Sequence, residues 1–245
     1  MSEQGMQGVG DTGGAGAAPR SGTMVDFPVN GRGGTGYLAL PPGGRGPAVL
    51  VLQEWWGLVD HIQDVTDRTA AAGFVALAPD LYRGERTTSP DQAAKLFMAL
   101  DIAATAGELR GAADYLRAHP AVEPRRLGVV GFCMGGQLAL FAACEHPEAF
   151  DAAVDFYGIH PKVALDTSRL RAPVLAHFGR RDGSIPLERA EALIGEIQGR
   201  GVPAAMHVYE ADHAFFNDQR PAVYEPASAA LAWERTVRFL RETLA

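Results

Sequence analysis

The chain has 245 residues, of which 47% are hydrophobic and 21% charged, and its formal net charge is −7. This composition is typical of a globular protein and excludes a disordered chain. The acidic balance argues against a nucleic-acid partner, because phosphate binding depends on clustered cationic side chains. No apolar run approaches the roughly 20 residues that a membrane-spanning helix needs, so no membrane partner is expected.

Two cysteines are present, at positions 133 and 144. So few thiols exclude a disulfide-stapled scaffold, and the lack of CxxC and HExxH spacings argues against a zinc site. Residues 1–22 are rich in glycine and alanine and have no apolar signal-peptide core, so we expect a disordered tail and a cytoplasmic protein. Residues 23–245 show no repeat and no second composition regime, which predicts one domain.

Predicted strands and helices alternate along residues 23–245. A hairpin comes first, with the turn Asn30-Gly31-Arg32-Gly33 between Met24–Val29 and Thr35–Leu40. Further strands are predicted at Ala48–Gln53, Phe74–Ala78, Leu127–Phe132, Ala152–Tyr157, Pro173–Phe178 and Ala204–Tyr209. Helices are predicted at Val59–Ala72, in one long helical region from Pro90 to His119, and at Met134–Glu145, Pro186–Gln198 and Pro221–Leu244. This alternation predicts an α/β fold, a mostly parallel sheet covered by helices on both faces.

One strand runs directly into the segment Gly131-Phe132-Cys133-Met134-Gly135-Gly136 and then into a helix. This Gly-x-Cys-x-Gly pattern is the thiol counterpart of a nucleophile elbow, in which glycines two residues either side of the nucleophile avoid a collision. The helix N-terminus favours a thiolate and an adjacent oxyanion, toward which the Met134 N–H would point. A buried packing cysteine is the alternative, and the motif alone does not decide between the two. A dinucleotide-binding fingerprint is excluded, because Cys133 stands where that fingerprint needs glycine.

Cys144 follows on the same predicted helix, eleven residues after Cys133. A helix rises about 1.5 Å per residue, so the two residues lie about 16 Å apart along its axis. This separation is too large for a disulfide, and we predict that Cys144 is a packing residue. A redox-sensing thiol protein would want a closer second cysteine.

Asp182 and His213 each follow a predicted strand later in the chain. Their order after Cys133 is nucleophile, acid, histidine, which is the order of α/β-hydrolase triads. The carboxyl ends of parallel strands share one edge of a sheet, so we expect the three side chains to converge. Two alternatives weaken this prediction: Asp182 as the cap of the next helix, and Asp212 as the acid.

The other histidines are expected to have structural roles. His177 and His207 lie inside predicted strands and are interpreted as packed core residues. The rest are expected at surface or turn positions: His61, His119, His146 and His160.

Over residues 24–244 the chain resembles the dienelactone hydrolase (carboxymethylenebutenolidase) family of α/β-hydrolases. The resemblance rests on Gln53-Glu54-Trp55-Trp56-Gly57-Leu58, Ala78-Pro79-Asp80-Leu81-Tyr82, the cysteine motif, Arg181-Asp182 and Asp212-His213-Ala214-Phe215. It implies an α/β-hydrolase fold with about eight strands flanked by helices. It also implies a Cys-His-Asp triad, which maps onto Cys133, His213 and Asp182, and a reaction without cofactor or metal.

The same resemblance gives roles to two residues after the strand Ala48–Gln53. In the family, the glutamate that matches Glu54 is buried and holds the resting cysteine away from the histidine until substrate displaces it. The backbone N–H of Trp55 matches the second oxyanion donor, beside that of Met134. The alternative for Glu54 is an ordinary loop carboxylate.

The chain departs from the family where the substrate carboxylate binds. The family's two arginines correspond to Pro90 and Asn217 here, and a tyrosine corresponds to Ala94. Three loop arginines are candidates to replace them, although each one singly is also consistent with a solvated surface residue: Arg83, Arg86 and Arg220. Aromatic candidates for an apolar substrate pocket, of which Trp56 and Phe97 could equally be core, are Trp55, Trp56, Phe97, Phe215 and Phe216.

These observations predict a cofactor-free hydrolase of small lactones or esters that works through a thioester acyl-enzyme, as a monomer or small homo-oligomer. A general small-ester carboxylesterase without dienelactone activity is the nearest alternative, favoured by the missing arginines. A non-catalytic binding protein on the same fold is the other, and the intact triad argues against it.

Overall fold

Eight strands form one sheet in the computed structural model, which describes residues 20–29 and 32–245. The strands are β1 (Thr23–Val29), β2 (Arg32–Ala39), β3 (Gly46–Leu52), β4 (Val75–Pro79), β5 (Val122–Phe132), β6 (Ala152–Phe156), β7 (Val174–Gly179) and β8 (Ala204–Tyr209). Their order across the sheet is β1-β2-β4-β3-β5-β6-β7-β8. The β1–β2 and β2–β4 pairs are antiparallel and all other pairs are parallel, which confirms the predicted mostly parallel sheet.

Six α-helices of the described residues flank the sheet. They are α1 (Asp60–Ala71), α2 (Pro90–Ala99), α3 (Ile102–Ala118), α4 (Met134–Glu145), α5 (Leu187–Gly199) and α6 (Pro226–Leu244). Successive residues of a strand point to opposite faces, yet all residues of β3 from Ala48 to Leu52 are fully buried. Both faces of the sheet centre are therefore covered, as a parallel sheet requires. Within the described ranges, no helix is both long and apolar enough to cross a membrane.

The long helical region predicted from Pro90 to His119 is confirmed, and it consists of two helices, α2 and α3. Leu100 and Asp101 adopt extended backbone conformations between α2 and α3. The Asp101 carboxylate accepts a hydrogen bond from the Ala104 N–H at 3.0 Å and caps the start of α3. A side-chain cap of this kind satisfies a backbone donor that a continuous helix would have paired internally.

The last helix begins at Pro226, five residues after the predicted start at Pro221. The carboxylate of Glu225 accepts from the Ser228 N–H at 2.6 Å, and proline occupies the first helical position. Both features favour a helix start at this point, whereas residues 221–223 form a turn.

The predicted tail, residues 1–22, falls mostly outside the described residues, since only positions 20–22 are described. These three residues contact α1 and the adjoining hairpin. The Arg20 guanidinium lies 3.6 Å from Asp64 and 3.8 Å from Asp67, and the Gly22 N–H donates to the Tyr37 hydroxyl at 2.8 Å. Among the described residues, positions 20–22 of the predicted tail are therefore in contact with the domain.

The parallel strands β3, β5, β6, β7 and β8 all end at the same edge of the sheet. The residues that follow their carboxyl ends include Glu54, Cys133, Tyr157, Asp182 and His213. Because these strand ends lie side by side, the edge can hold a composite site.

Candidate active site

Cys133 occupies a strained turn between β5 and α4. Its backbone has φ +54° and ψ −117°, a conformation that residues with a side chain rarely adopt. A Cβ on Gly131 would lie 1.8 Å from the Gly135 carbonyl oxygen, and a Cβ on Gly135 would lie 2.4 Å from that of Leu52. The two glycines are therefore required by close backbone approach, and the turn has the geometry of the predicted elbow.

Cys133, His213 and Asp182 are joined by a chain of hydrogen bonds. The Cys133 Sγ lies 3.3 Å from His213 Nε2, and His213 Nδ1 lies 2.7 Å from Asp182 Oδ2. The other oxygen of Asp182 accepts from the backbone N–H groups of Ser184 and Ile185, at 2.8 and 2.9 Å. One carboxylate thus orders its own loop and holds the imidazole in a fixed orientation.

The rival acid, Asp212, points elsewhere. Its carboxylate lies 3.4 Å from the Arg181 guanidinium, and both side chains are about half exposed. Asp182, in contrast, has a fully buried side chain. The structure therefore brings Asp182, and not its rival, to the ring of His213.

The hydrogen-bond partners of His213 raise its pKa. Burial opposes that charge, but the hydrogen bonds to Asp182 and Cys133 outweigh burial and raise the pKa of His213 from 6.5 to about 10. A charged imidazole at 3.3 Å stabilises negative charge on the sulfur.

Two backbone N–H groups beside the sulfur have no partner in the described chain. Met134 is the first residue of α4, where a backbone N–H has no acceptor within its own helix. Trp55 follows β3, and its N–H donates to no other described residue. Both donors are available for an oxyanion.

Glu54 is 1% exposed and binds Asn217 rather than the cysteine. Its Oε2 accepts from Asn217 Nδ2 at 2.7 Å, and its Oε1 has no hydrogen-bond partner in the described chain. The family arrangement, in which this glutamate holds the resting cysteine away from the histidine, is not the one observed, since the sulfur lies beside His213. The group that binds Glu54 is the uncharged amide of Asn217, and Asn217 stands at the position where the family has an arginine.

A pocket of about 220 Å3 opens over the sulfur. Its wall is mainly apolar and includes Cys133 and His213 together with Trp55 and Met134. The lining residues are Glu54, Trp55, Trp56, Phe97, Cys133, Met134, Tyr157, Ile159, His160, Ser184, Ile185, His213, Ala214 and Arg220.

Three of the five predicted aromatic residues line this pocket: Trp55, Trp56 and Phe97. The other two, Phe215 and Phe216, are 0% and 1% exposed and belong to the core. Phe215 contacts the buried ring of Tyr157, and Phe216 contacts the buried ring of Phe156. Phe215 is therefore not brought to the substrate pocket.

Of the three candidate arginines, the structure brings only Arg220 to the pocket. Its guanidinium lies 4.9 Å from the centre of the Trp56 ring. Arg83 instead bonds to Glu108, and Arg86 is exposed and does not line the pocket. Neither Arg83 nor Arg86 is positioned to bind a substrate over the sulfur.

Tyr157 and His160 are among the pocket residues that sequence reasoning missed. Tyr157 is fully buried at the end of β6, with φ +46°, and its ring lies 5.2 Å edge-on to His213. Its place at a strand end was the available signal. The ring of His160, expected at a surface or turn, packs against Phe97 at 4.6 Å, and burial together with nearby Lys162 lowers its pKa.

His61 was expected at a surface or turn, and that prediction is wrong, because its side chain is 1% exposed. His177 was expected in the core and is fully buried there. Cys144 is also fully buried, and burial raises the pKa of its thiol to about 12. Across residues 20–29 and 32–245, no cluster of three or more His, Cys, Asp or Glu side chains could hold a metal ion.

Comparison with known proteins gives consistent matches. Residues 35–244 match the dienelactone hydrolase family. An Aquifex aeolicus (strain VF5) protein named "Putative carboxymethylenebutenolidase" is 33% identical, and the match covers 91% of this chain and 99% of that protein. A solved structure named "Putative Dienelactone Hydrolase", from Klebsiella pneumoniae subsp. pneumoniae MGH 78578, is 31% identical with a TM-score of 0.80, covering 89% of this chain and 96% of that one. A dienelactone hydrolase-like promiscuous phosphotriesterase from metagenomic libraries is 25% identical with a TM-score of 0.81, covering 91% and 98%.

Proposed function

The chain belongs to the dienelactone hydrolase family and is a carboxylic ester hydrolase, and we propose that it cleaves small esters and lactones through a thioester on Cys133. Its sheet has the α/β-hydrolase fold, which confirms the predicted fold class. The observation that carries the proposal is the hydrogen-bonded chain from Cys133 Sγ through His213 to Asp182, at 3.3 and 2.7 Å.

In the proposed acylation step, the Cys133 thiolate attacks the carbonyl carbon and a C–S bond forms. The carbonyl oxygen becomes an oxyanion that accepts from the N–H groups of Trp55 and Met134, each worth about 3 kcal/mol in comparable sites. The C–O bond to the leaving group then breaks as His213 gives its proton to the departing oxygen. Asp182 stabilises the imidazolium and keeps the ring in the required tautomer.

Deacylation reverses the proton transfers. Neutral His213 takes a proton from water, and the resulting hydroxide attacks the thioester carbonyl. The same two N–H groups bind the second oxyanion, the C–S bond breaks, and the sulfur leaves as a thiolate beside the recharged His213. Glu54 is proposed to take up the proton when Cys133 is a neutral thiol, through its unpartnered Oε1.

The size and polarity of the pocket support small, mainly apolar substrates. Its volume is about 220 Å3, and Arg220 is the one guanidinium in its wall. The family's carboxylate-binding arginines are replaced by Pro90 and Asn217, and Asn217 is occupied by Glu54. We therefore propose that neutral esters and lactones are better substrates than lactones with a free carboxylate.

Dienelactone hydrolysis is the second candidate. It is favoured by Arg220, which lines the pocket and forms no ion pair with a described carboxylate. In that case the guanidinium would leave the Trp56 ring and bind the substrate carboxylate. The variant Arg220→Met would then lose activity on carboxylated lactones about 10-fold or more, and neutral lactones would be unaffected.

The test is a panel of aryl esters, neutral lactones and carboxylated lactones assayed with purified protein. Cys133→Ala should abolish turnover of every substrate, whereas Cys144→Ala should keep it, since Cys144 lies buried on α4 away from the pocket. Undiminished turnover in Cys133→Ala would overturn the proposed mechanism. A clear preference for carboxylated lactones would favour the second candidate.

We also propose a cytoplasmic location, because a reducing compartment keeps the two free cysteines as thiols. The oligomeric state, a monomer or a small homo-oligomer, stays a prediction. Size-exclusion chromatography with light scattering measures that state directly.

A further inference from the structure

His160 stands in the wall of the pocket over the sulfur, in the loop that follows β6. Its ring packs edge-on against the ring of Phe97 on α2, with 4.6 Å between the ring centres, and Phe97 lines the same pocket. His160 is partly exposed, whereas Phe97 is buried. The imidazole therefore belongs to the wall of the pocket and not to the core behind it.

A backbone hydrogen bond assigns the proton of this ring. The Lys162 N–H donates to His160 Nδ1 at 3.1 Å, and a backbone N–H can only donate, so Nδ1 is the acceptor and carries no proton. Burial and the positive charges of Lys162 and Arg189 lower the pKa of His160 from 6.5, so the neutral ring predominates at pH 7. In a neutral imidazole with an unprotonated Nδ1, Nε2 carries the proton and is a hydrogen-bond donor.

This Nε2 donor is accessible. Within residues 20–29 and 32–245 it donates to no other side chain or backbone group, and it is not among the buried nitrogen and oxygen atoms that lack a partner. Nε2 lies at the tip of the ring, away from the backbone that Nδ1 contacts. A molecule bound in the pocket can therefore accept a hydrogen bond from it.

The cations near His160 do not line the pocket over the sulfur. Lys162 Nζ donates to the carbonyl oxygen of Met98 at 2.5 Å, and Arg189 is exposed and lines a separate cavity beside α5. His160 thus presents a neutral N–H rather than a positive charge. A neutral donor pairs with an uncharged acceptor, such as a ketone or a second ester carbonyl, without the cost of burying a charge.

We propose that His160 Nε2 donates a hydrogen bond to a second carbonyl oxygen of the substrate, remote from the carbonyl that is attacked. The substrate class is then neutral esters and lactones that carry a ketone or a second ester group. The inference rests on the proposed function, because it places the attacked carbonyl at Cys133. Other donors also line the pocket, including those of Ser184 and Arg220, so substitution of His160 is needed to assign the contact.

The experiment compares substrates that differ only at the second carbonyl. On the acyl side the pair is p-nitrophenyl 5-oxohexanoate and p-nitrophenyl 5-methylhexanoate, and on the alcohol side it is 4-oxopentyl acetate and 4-methylpentyl acetate. In each pair a methyl group replaces the ketone oxygen and cannot accept a hydrogen bond. The measured quantity is the keto-to-methyl ratio of kcat/KM, in which effects common to both compounds cancel.

Two substitutions separate the Nε2 donor from the backbone bond at Nδ1. In His160→Asn the shorter amide keeps an acceptor for the Lys162 N–H two residues on, but it places no donor at the position of Nε2. In His160→Gln the longer amide places an N–H near that position, and the acceptor at Nδ1 is lost. In at least one pair we expect the keto-to-methyl ratio to fall about five-fold in His160→Asn, the value of one net hydrogen bond, and to stay at the wild-type value in His160→Gln.

His119→Asn is the matched control. His119 Nδ1 also accepts from the backbone N–H two residues on, that of Ala121, at 3.2 Å. His119 does not line the pocket over the sulfur, so His119→Asn should keep the wild-type ratio in both pairs.

The outcomes separate this proposal from the proposed function. Loss of p-nitrophenyl acetate turnover in Cys133→Ala tests the hydrolase mechanism alone. If the mechanism passes that test and His160→Asn keeps the wild-type ratio in both pairs, the contact with His160 is overturned and the mechanism stands. An equal fall in His160→Gln would also overturn the contact, because the ratio would then not depend on a donor at Nε2. Faster hydrolysis of 4-acetoxybutanoate than of 4-oxopentyl acetate would overturn the preference for an uncharged acceptor.

Discussion

Gly135→Ala tests the close packing that positions the proposed oxyanion donors, Trp55 and Met134. The new Cβ would lie 2.4 Å from the Leu52 carbonyl oxygen and 2.5 Å from that of Gln53. Both obstacles are backbone atoms at the end of β3, so neither can rotate out of the way. The shorter contact must widen from 2.4 Å to at least 3.0 Å, and the chain that moves leads directly into Trp55.

A displacement of this size has a large expected effect. Misplacing reacting groups by about 1 Å can reduce the rate 100-fold, so we expect kcat/KM for p-nitrophenyl acetate to fall about 10- to 100-fold in Gly135→Ala. Overpacking at a buried position costs about 1–3 kcal/mol, which a urea titration should detect as a lower free energy of unfolding. Steady-state kinetics on the folded variant separates the two effects.

Gly195→Ala is the matched control. Gly195 lies within α5, and a Cβ there would meet no atom within 4 Å. Alanine in an exposed helix interior stabilises a protein by about 0.5–1 kcal/mol, so this variant should be more stable and equally active. Wild-type activity and stability in Gly135→Ala would refute the assignment of close packing between the elbow and β3.

Three further predictions concern the buried polar groups. The hydrogen-bond partners of His213 raise its pKa from 6.5 to about 10, so kcat/KM should decline only as pH rises through about 10. In Asp182→Asn one of these partners is lost, and a pH–rate profile should show the alkaline decline moving toward 6.5. Asn217→Leu leaves both oxygens of the buried Glu54 carboxylate without a described partner. A urea titration should therefore show a free energy of unfolding lower by about 1.5–3 kcal/mol. Leu231→Asn, a change of similar size at an exposed position, is the control. Burial holds the pKa of His177 well below 6.5, so the unfolded chain binds a proton that the folded protein excludes. Stability should therefore fall by about 1.4 kcal/mol per pH unit below 6.5 from this group, and a shallower fall is expected in His177→Asn.

The elbow around Cys133 and the convergence of Cys133, Asp182 and His213 at one edge of the sheet could be predicted from the sequence. Gly131 and Gly135 flank Cys133 within a segment whose apolar run and following helix are visible in the residues themselves. The parallel sheet then requires that residues after its strands share an edge, which brings Asp182 and His213 to the cysteine. Short-range patterns and one general rule of sheet topology suffice for these features.

Side-chain partners could not be predicted in the same way. Glu54 and Asn217 are 163 positions apart, and Arg83 turns to Glu108 rather than to the pocket. His61 is polar and close to a helix start, which suggested exposure, but the helix faces the core at that position. Pairings of this kind depend on the packed arrangement and leave no periodic signal along the chain.

The proposed thioester can be detected directly. Protein mixed with p-nitrophenyl acetate and quenched in acid within milliseconds should gain the mass of one acetyl group, and peptide mapping should locate it on Cys133. Cys144→Ala should acquire the same adduct, whereas Cys133→Ala should acquire none and should not turn over the ester. Steady turnover in Cys133→Ala, or an acetyl group that forms and decays at catalytic rate on another residue, would contradict the account.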